Sequence, residues 1–249
     1  MNLIILQKED RIDDFLYRIK DNRARHILEI LKLDTGDTVE AGILNGPQGK
    51  AIIESVSGNT LILKCSDFTM MPAPAITIDL ICAMPRPQTL RRVLRTIATM
   101  GVRKLFLIRA NRVEKSYFHS PLLEPDNYTP YLIEGLAQGK LTRLPEVTIH
   151  KRFKPFFEDT LKDNAKDETG DALRLLADTE TKRLLSKIYS DPRRVLLAIG
   201  PEGGWVPFEV ALMKEIGFES FTLGQWLLRV ESAVTAALAQ IELLGRDST

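Results

Sequence analysis

The spacing of hydrophobic and polar positions changes once along the chain, close to residue 70. Before that point, apolar residues at positions 24, 27, 28 and 31 recur at helical intervals and predict a helix over 22–33. The other apolar runs there are short, are separated by turn residues, and predict strands over 3–6, 38–41, 50–56 and 60–65. Short strands, tight turns and one helix favour a small β-barrel, which we assign to a first domain of residues 1–71.

Residues 70–75 contain two prolines and predict a linker, because proline lacks a backbone donor and favours extended backbone. Beyond the linker, strand-like and helix-like patterns alternate. The predicted strands are 76–83, 104–108, 173–177, 195–199 and 221–223. The predicted helices are 87–100, 130–138, 182–189, 207–216 and 231–244. This alternation implies a second, α/β domain over 75–249, with a mostly parallel sheet and helices on both faces.

Composition narrows the class of protein. With 249 residues, 44% of them hydrophobic and 27% charged, the chain resembles ordinary globular proteins rather than disordered or fibrous ones. It has no apolar run long enough for a membrane helix and no basic start typical of a signal peptide, so we expect a cytoplasmic protein. Cys65 and Cys82 lie in apolar runs and are expected to be buried free thiols. The three histidines lack metal-ligand spacing, so we expect no metal site.

Charge is unevenly distributed although the net charge is only +1. Residues 84–120 contain nine basic residues and one acid, which gives this stretch a net charge of +8. On the predicted helix, the arginines lie away from the apolar face. A solvated helix face is one explanation, but the missing acids favour contact with RNA phosphates. The candidate RNA-binding residues here are Arg86, Arg91, Arg92, Arg95, Arg112 and Lys115, and Arg109 could extend the same track.

The sharpest motif is a buried strand that runs directly into a glycine-rich loop, residues 199–204 (Ile-Gly-Pro-Glu-Gly-Gly). Glycines let a ligand approach the backbone, and ligands of α/β sheets bind at the carboxyl ends of strands. The spacing matches neither a dinucleotide fingerprint nor a P-loop. A plain strand-to-helix turn is the alternative interpretation.

A second strand ends in glycine at residues 223–233 (Leu-Gly-Gln-Trp-Leu-Leu-Arg-Val-Glu-Ser-Ala). Glu231 and Ser232 stand at the start of the predicted final helix, where they would stabilise the helix dipole and the first N–H groups. Helix capping alone accounts for both residues. It leaves unexplained why two such strand ends occur so close together.

Together, the two motifs resemble the 16S rRNA (uracil-N3)-methyltransferase family of the knotted SPOUT superfamily. The resemblance is strongest over 195–240 and extends more weakly to residues 25–37, to Gln138 and to Pro145. It implies a PUA-like RNA-binding barrel in the first domain and a trefoil-knotted α/β fold in the second. A knot is too rare to be proposed from periodicity.

The resemblance also implies function. It implies S-adenosylmethionine as the cofactor, a homodimer, and N3 of a uridine in small-subunit ribosomal RNA as the methylation target. The cofactor-binding residues that it implies are Leu176, Ile199, Gly200, Pro201, Gly203, Leu223, Gly224, Leu228 and Ser232. Arg25 and Lys32 join the expected RNA-binding residues.

Methylation of N3 requires loss of its proton and in-line approach of the methyl group. Arg229, beside the expected pocket, is the candidate for stabilising the developing negative charge. Glu231 is a candidate base, with helix capping as its alternative role. Trp205 and Trp226 are expected either to stack on a base or to pack in the core.

The chain departs from the family pattern on the RNA side. Trp226 and Leu141 stand where the family has arginines, and residues 99–102 (Thr-Met-Gly-Val) replace Glu-Leu-Gly-Val. Two alternatives therefore stay open: a SPOUT methyltransferase for another RNA position, and a catalytically silent RNA-binding ribosome-assembly factor. A nucleotide-dependent oxidoreductase is disfavoured by the missing fingerprint.

Overall fold

The computed structural model describes residues 2–74, 77–161, 172–189 and 194–246. It divides into two compact units. The first consists of residues 1–73 and 133–144, and the second of residues 74–132 and 145–249. The segment 133–144 thus belongs to the first unit although it is distant in sequence.

A five-stranded mixed sheet forms the first unit. Its strands are β1 (Ile4–Leu6), β2 (Leu16–Ile19), β3 (Thr38–Ile43), β4 (Gln48–Ser57) and β5 (Thr60–Lys64). They lie in the order β1-β3-β4-β5-β2, and only β1 and β3 pair in parallel. The prediction missed β2 because this strand has only four residues, one of them Arg18, and such a short segment shows no clear apolar pattern.

The helix of this unit, α1 (Asn22–Arg25), continues as a π-helical turn over His26–Ile30. It begins at Asn22 because the Asp21 carboxylate accepts a hydrogen bond of 2.9 Å from the Arg23 N–H. Ala24 and Ile27 are fully buried against the sheet, as their helical spacing predicts. The predicted single helix is therefore confirmed, but it ends at Ile30, three residues earlier than predicted, and its second half is π-helical.

Six strands form the sheet of the second unit, and all of them are parallel. They are β6 (Ile78–Ala83), β7 (Lys104–Ile108), β8 (Glu146–His150), β9 (Leu173–Ala177), β10 (Val195–Ile199) and β11 (Glu219–Phe221). Their order is β11-β9-β10-β6-β7-β8. Every residue of β6 and β10 is buried, as expected of central strands covered on both faces.

Helices flank this sheet. They are α2 (Pro87–Thr99), α4 (Phe153–Pro155, followed by a π-helical turn Phe156–Thr160), α5 (Pro207–Glu215) and α6 (Val230–Arg246). The helix α3 (Pro125–Gly139) begins in the second unit, and its residues from 133 onward belong to the first. On one face, side chains of the π-helical turn and of α5 share a core with those of the strands. Elsewhere α2 packs on α6, which also contacts β10. The predicted α/β class, with a mostly parallel sheet and a small β-rich unit before it, is confirmed.

Three local predictions for the second unit need correction. Residues 182–189 form no α-helix: only Leu185–Lys187 make a 3₁₀ turn, and Leu184 pairs with Thr222 as an isolated bridge. Strand β8 was missed because it lies at the sheet edge, where its partly exposed side chains give no continuous apolar run. The last strand, β11, lies two residues earlier than predicted.

A buried carboxylate connects three segments at the amino end of this sheet. The side chain of Asp79, on β6, is 1% exposed. It accepts hydrogen bonds from Arg103, at 2.7 and 2.9 Å, and from Arg194. These contacts join β6 to the residues that precede β7 and β10.

Both cysteines are free and buried, as predicted. Burial raises the pKa of each thiol to about 12. The thiolate is the reactive form, so neither cysteine is suited to nucleophilic chemistry at neutral pH.

Candidate functional site

The loops that follow β9, β10 and β11 enclose a cavity of about 590 Å³. Because the six strands are parallel, their carboxyl ends meet at one edge of the sheet, where ligands of this fold class bind. Seven of the nine expected cofactor-binding residues line the cavity: Ile199, Gly200, Pro201, Gly203, Leu223, Gly224 and Leu228. The structure thus brings the two glycine-containing motifs together in one wall.

The loop after β10 is closely packed at two of its glycines. A Cβ at Gly200 would lie 3.0 Å from Nε1 of Trp205. A Cβ at Gly203 would lie 3.1 Å from Cδ of Arg112. Gly204 has a φ of 73° and donates its N–H to the Pro201 carbonyl at 2.8 Å, which closes the turn. The loop therefore presents its backbone to the cavity.

Arg112 and Trp205 support this loop from the side. The guanidinium of Arg112, which was expected to bind RNA, donates a hydrogen bond to the carbonyl of Gly203. The indole of Trp205 lies in the cavity wall, with its ring centroid 6.1 Å from that of Phe153. Its Nε1 is buried and has no hydrogen-bond partner among the described residues, so this donor is available to a ligand.

The β9 loop contributes polar residues that sequence reasoning missed. Asp178, Thr179 and Glu180 line the cavity, and the Asp178 carboxylate accepts a hydrogen bond of 3.0 Å from the Glu180 N–H. In the sequence, these residues could have been identified by the abrupt change from the apolar strand β9 to three polar residues. Leu176, the residue expected from this strand, is fully buried in the core and lies outside the cavity wall.

The loop after β11 completes the wall. Gly224 has a φ of 131°, which favours glycine, and its N–H donates to the Thr222 hydroxyl at 3.2 Å. Trp226 lines the cavity while 76% of its surface is exposed, so it does not pack in the core. Ser232 is exposed on α6 outside the wall, where Ala233 takes its expected place.

The two candidate catalytic residues lie beside the cavity rather than in its wall. Arg229 is exposed between Leu228 and Val230, both of which line the wall. Glu231 is 17% exposed and forms an ion pair of 2.9 Å with Arg92. The carboxylate of Glu231 therefore connects α6 to α2.

The candidate RNA-binding residues have varied surroundings. In the first unit, Arg25 and Lys32 are exposed. In the second, the guanidinium carbons of Arg91 and Arg95 lie 5.7 and 4.6 Å from the ring centroid of Tyr131. Arg86 donates to the Tyr117 hydroxyl at 3.2 Å, and Lys115 is exposed. Arg92 is paired with Glu231. Contacts within the protein therefore orient Arg86, Arg91, Arg92 and Arg95, whereas Lys115 is exposed.

Among the residues that the structure describes, no group of three or more metal-ligating side chains comes together. In the same residues, no helix has the length and apolar character needed to cross a membrane.

Comparison with known proteins identifies the family. Residues 72–242 match the family model described as the RNA methyltransferase domain. The ribosomal RNA small subunit methyltransferase E of Treponema pallidum is 29% identical over 245 residues, which cover 97% of this chain and 90% of that protein. A Borreliella burgdorferi protein, ribosomal RNA small subunit methyltransferase E 1, is 26% identical over 88% of this chain and 89% of its own length.

A solved structure shares the fold. It is the ribosomal RNA small subunit methyltransferase E of Neisseria gonorrhoeae bound to S-adenosyl methionine, with a TM-score of 0.72 and 17% identity over 98% of both chains. The family model covers well over half of the chain, including every loop of the cavity. This chain belongs to the RNA methyltransferase domain family.

Proposed function

We propose that the protein transfers the methyl group of S-adenosylmethionine to N3 of a uridine in small-subunit ribosomal RNA, in the cytoplasm. The observation that carries the proposal is the cavity at the carboxyl ends of β9, β10 and β11, with a wall made by two glycine-containing loops. The curated relatives with similarity over most of the chain are named as methyltransferases of that RNA. The choice of uridine N3 rests on the sequence resemblance.

The residues present fit this cofactor. A cavity of about 590 Å³ is in the range of small-molecule sites, and its wall combines apolar side chains with exposed backbone. Ile199 and Leu228 provide apolar contact for an adenine ring, and the buried Nε1 of Trp205 offers a hydrogen-bond donor. When bound, S-adenosylmethionine supplies a methyl group on a positively charged sulfur, a reaction that requires no metal.

The protein must position the uridine and manage one proton. Methylation at N3 would require loss of the N3 proton, so the site would have to stabilise negative charge on the uracil. We assign Arg229 to stabilise the negative charge that develops on the uracil, because it stands next to two wall residues and makes no ion pair among the described residues. Glu231, which is paired with Arg92, orients the start of α6 in this proposal.

RNA contact is assigned to both parts of the chain. The expected PUA-like domain, residues 1–71, would contact RNA with Arg25 and Lys32, and the methyltransferase domain, residues 75–249, with its basic residues. Lys115 is exposed, and the ring of Tyr131 orients Arg91 and Arg95. The substrate is ribosomal RNA or the small ribosomal subunit.

The active form is proposed to be a homodimer. Large apolar side chains are exposed on the loop before α6 and on α6 itself. Trp226 is 76% exposed, Leu227 86% and Leu243 62%. The first two precede α6 and the third lies near its end, so a partner packed along α6 would contact all three. A second copy of this chain would cover them.

Calorimetric titration with S-adenosylmethionine tests the cofactor site. The wild-type protein is expected to bind, and Gly203→Trp is expected to lose binding, because even a Cβ there lies 3.1 Å from Arg112. Unchanged cooperative unfolding of the variant controls for misfolding. Absence of binding by the folded wild-type protein, with RNA present, would contradict the proposal and favour a catalytically silent RNA-binding factor.

A further inference from the structure

A second cavity of about 350 Å³ lies at the carboxyl ends of β7 and β8, at the same sheet edge as the cofactor cavity. Its wall contains Arg109, which directly follows β7, and Lys151 and Arg152, which directly follow β8. The sheet edge thus has two halves. The β11-β9-β10 half holds the glycine-containing loops, and the β7-β8 half presents three cations.

In the part of the chain that the structure describes, no ion pair offsets the positive charge of this cavity. Arg109, Lys151 and Arg152 form no ion pair among the described residues. Among the described residues that form the wall, the acidic one is Glu209, which is 2% exposed. Its carboxylate oxygens accept backbone N–H groups, from Asn111 at 2.6 Å and from Val206 at 3.0 Å. Glu209 therefore stabilises the two loops, while the three cations remain available to an anion.

An aromatic ring stands beside these cations. Phe208, in the first turn of α5, belongs to the wall and is 59% exposed. Single-stranded nucleic acids are bound by this pair of features, cations for the phosphates and an aromatic face for a base. An inorganic anion would bind to the cations but would make no stacking contact with the ring of Phe208.

The two cavities share their bordering segments. Arg109 and Asn111 line the basic cavity, and Arg112, in the same loop, donates to the Gly203 carbonyl in the cofactor cavity. At the start of α5, Phe208 lines the basic cavity and Pro207 lines the cofactor cavity. A nucleotide held in the basic cavity would therefore be a close neighbour of the one that receives the methyl group.

We infer that this basic cavity, formed by Arg109, Lys151, Arg152 and Phe208, binds a phosphodiester and a stacked base of single-stranded RNA flanking the target nucleotide. The inference rests on the proposed function and names a substrate subsite for it. The cations hold the phosphate, and the ring of Phe208 supports the base. Such binding fixes the position of the target relative to the cofactor.

The test compares two double variants that each remove two positive charges. Lys151→Gln/Arg152→Gln removes two cations of the wall, and Lys104→Gln/Lys187→Gln removes two lysines of the same unit outside it. The probe is a fluorescent single-stranded RNA of about twelve nucleotides, titrated by anisotropy at several salt concentrations. For the wall variant, the magnitude of the negative slope of log affinity against log salt is expected to fall by about 0.7, the contribution of one phosphate contact. The control is expected to keep the parent slope.

A third variant, Phe208→Ala, tests the stacked base. It is expected to bind the probe about tenfold more weakly with an unchanged salt slope, because stacking involves no counterion release. Equal slopes for the wall variant and its control would overturn the subsite. If the parent then still binds S-adenosylmethionine by calorimetry, the proposed function stands without it. A reduced slope in a protein that binds no S-adenosylmethionine would support the subsite and contradict the proposed function.

Discussion

At the scale of the residue, the site depends on what stands next to each glycine and each charge. A Cβ at Gly200 or at Gly203 would crowd the side chain of Trp205 or of Arg112, which would have to shift. The exposed guanidinium of Arg229 contrasts with the Glu231 carboxylate, which is occupied by Arg92. Neighbouring residues of one motif thus have different surroundings: the side chain of Arg229 is exposed, and that of Glu231 is held in an ion pair.

Replacing Arg229 tests the proposed charge stabilisation. Arg229→Ala is expected to lower kcat about 100-fold, the effect of losing one donor to developing charge, and to leave the affinity for S-adenosylmethionine unchanged. Arg229→Lys, which keeps the charge, is expected to retain part of the rate. The measurement is methyl transfer from labelled cofactor to small-subunit RNA. Near-normal turnover by Arg229→Ala would remove this residue from the mechanism.

At the scale of the element, the parallel sheet is held at both of its ends by polar contacts. At the carboxyl ends, the Glu209 carboxylate joins the loop after β7 to the start of α5. At the amino ends, Asp79 joins β6 to Arg103 and Arg194. The apolar strands alone would not determine these loop positions, so the carboxylates fix the frame on which both cavities are built.

Removing Asp79 tests this connection. Asp79→Ala is expected to lower the free energy of unfolding by about 3–5 kcal/mol, because it leaves two arginines near the sheet without their buried partner. Glu219→Gln is the control, since it breaks an ion pair with Arg183 whose side chains are 42% and 48% exposed. We expect that change to cost below about 1 kcal/mol. Equilibrium urea unfolding measures both, and equal losses would contradict the importance of burial.

At the scale of the whole molecule, the chain crosses between its units more often than a linear division suggests. Residues 133–144 complete the first unit, where the Leu3 N–H donates to the Ala137 carbonyl at 2.9 Å. Thr142, 1% exposed, donates its hydroxyl to the Gly46 carbonyl at 2.6 Å. A cut at the predicted linker would therefore remove part of the first unit.

The proposed homodimer also belongs to this scale. Leu227→Glu/Leu243→Glu is expected to convert a dimer to a monomer in sedimentation velocity, because it places two charges on apolar surface that a second copy would cover. Ile30→Glu is the control, an exposed apolar residue of the first unit at 68% exposure. A wild-type monomer at all accessible concentrations, or a dimer that persists in the double variant, would contradict the proposal.

The amino-acid sequence by itself determined the local features. Apolar runs, continuous in β10 and interrupted in β6 by Asp79, specified the central strands, because both faces of these strands are buried. The glycines of the 199–204 loop were recognisable because no other residue combines their backbone freedom with close packing. Hydrophobic periodicity was less informative at the edges of the sheets, where side chains are partly exposed, and strands β2 and β8 were missed there. The helix predicted over 182–189 was wrong, since only a 3₁₀ turn forms in that segment.

Only the tertiary structure decided which distant residues meet. The strand order β11-β9-β10-β6-β7-β8 places Asp178 of the β9 loop in one wall with Gly200. The same order brings Arg112 onto Gly203, 91 positions away, and gathers Arg109, Lys151 and Arg152 into a second cavity. The spacing of residues along a chain reports which face of an element is buried. It does not report which strand pairs with which, because that depends on the packing of the entire sheet.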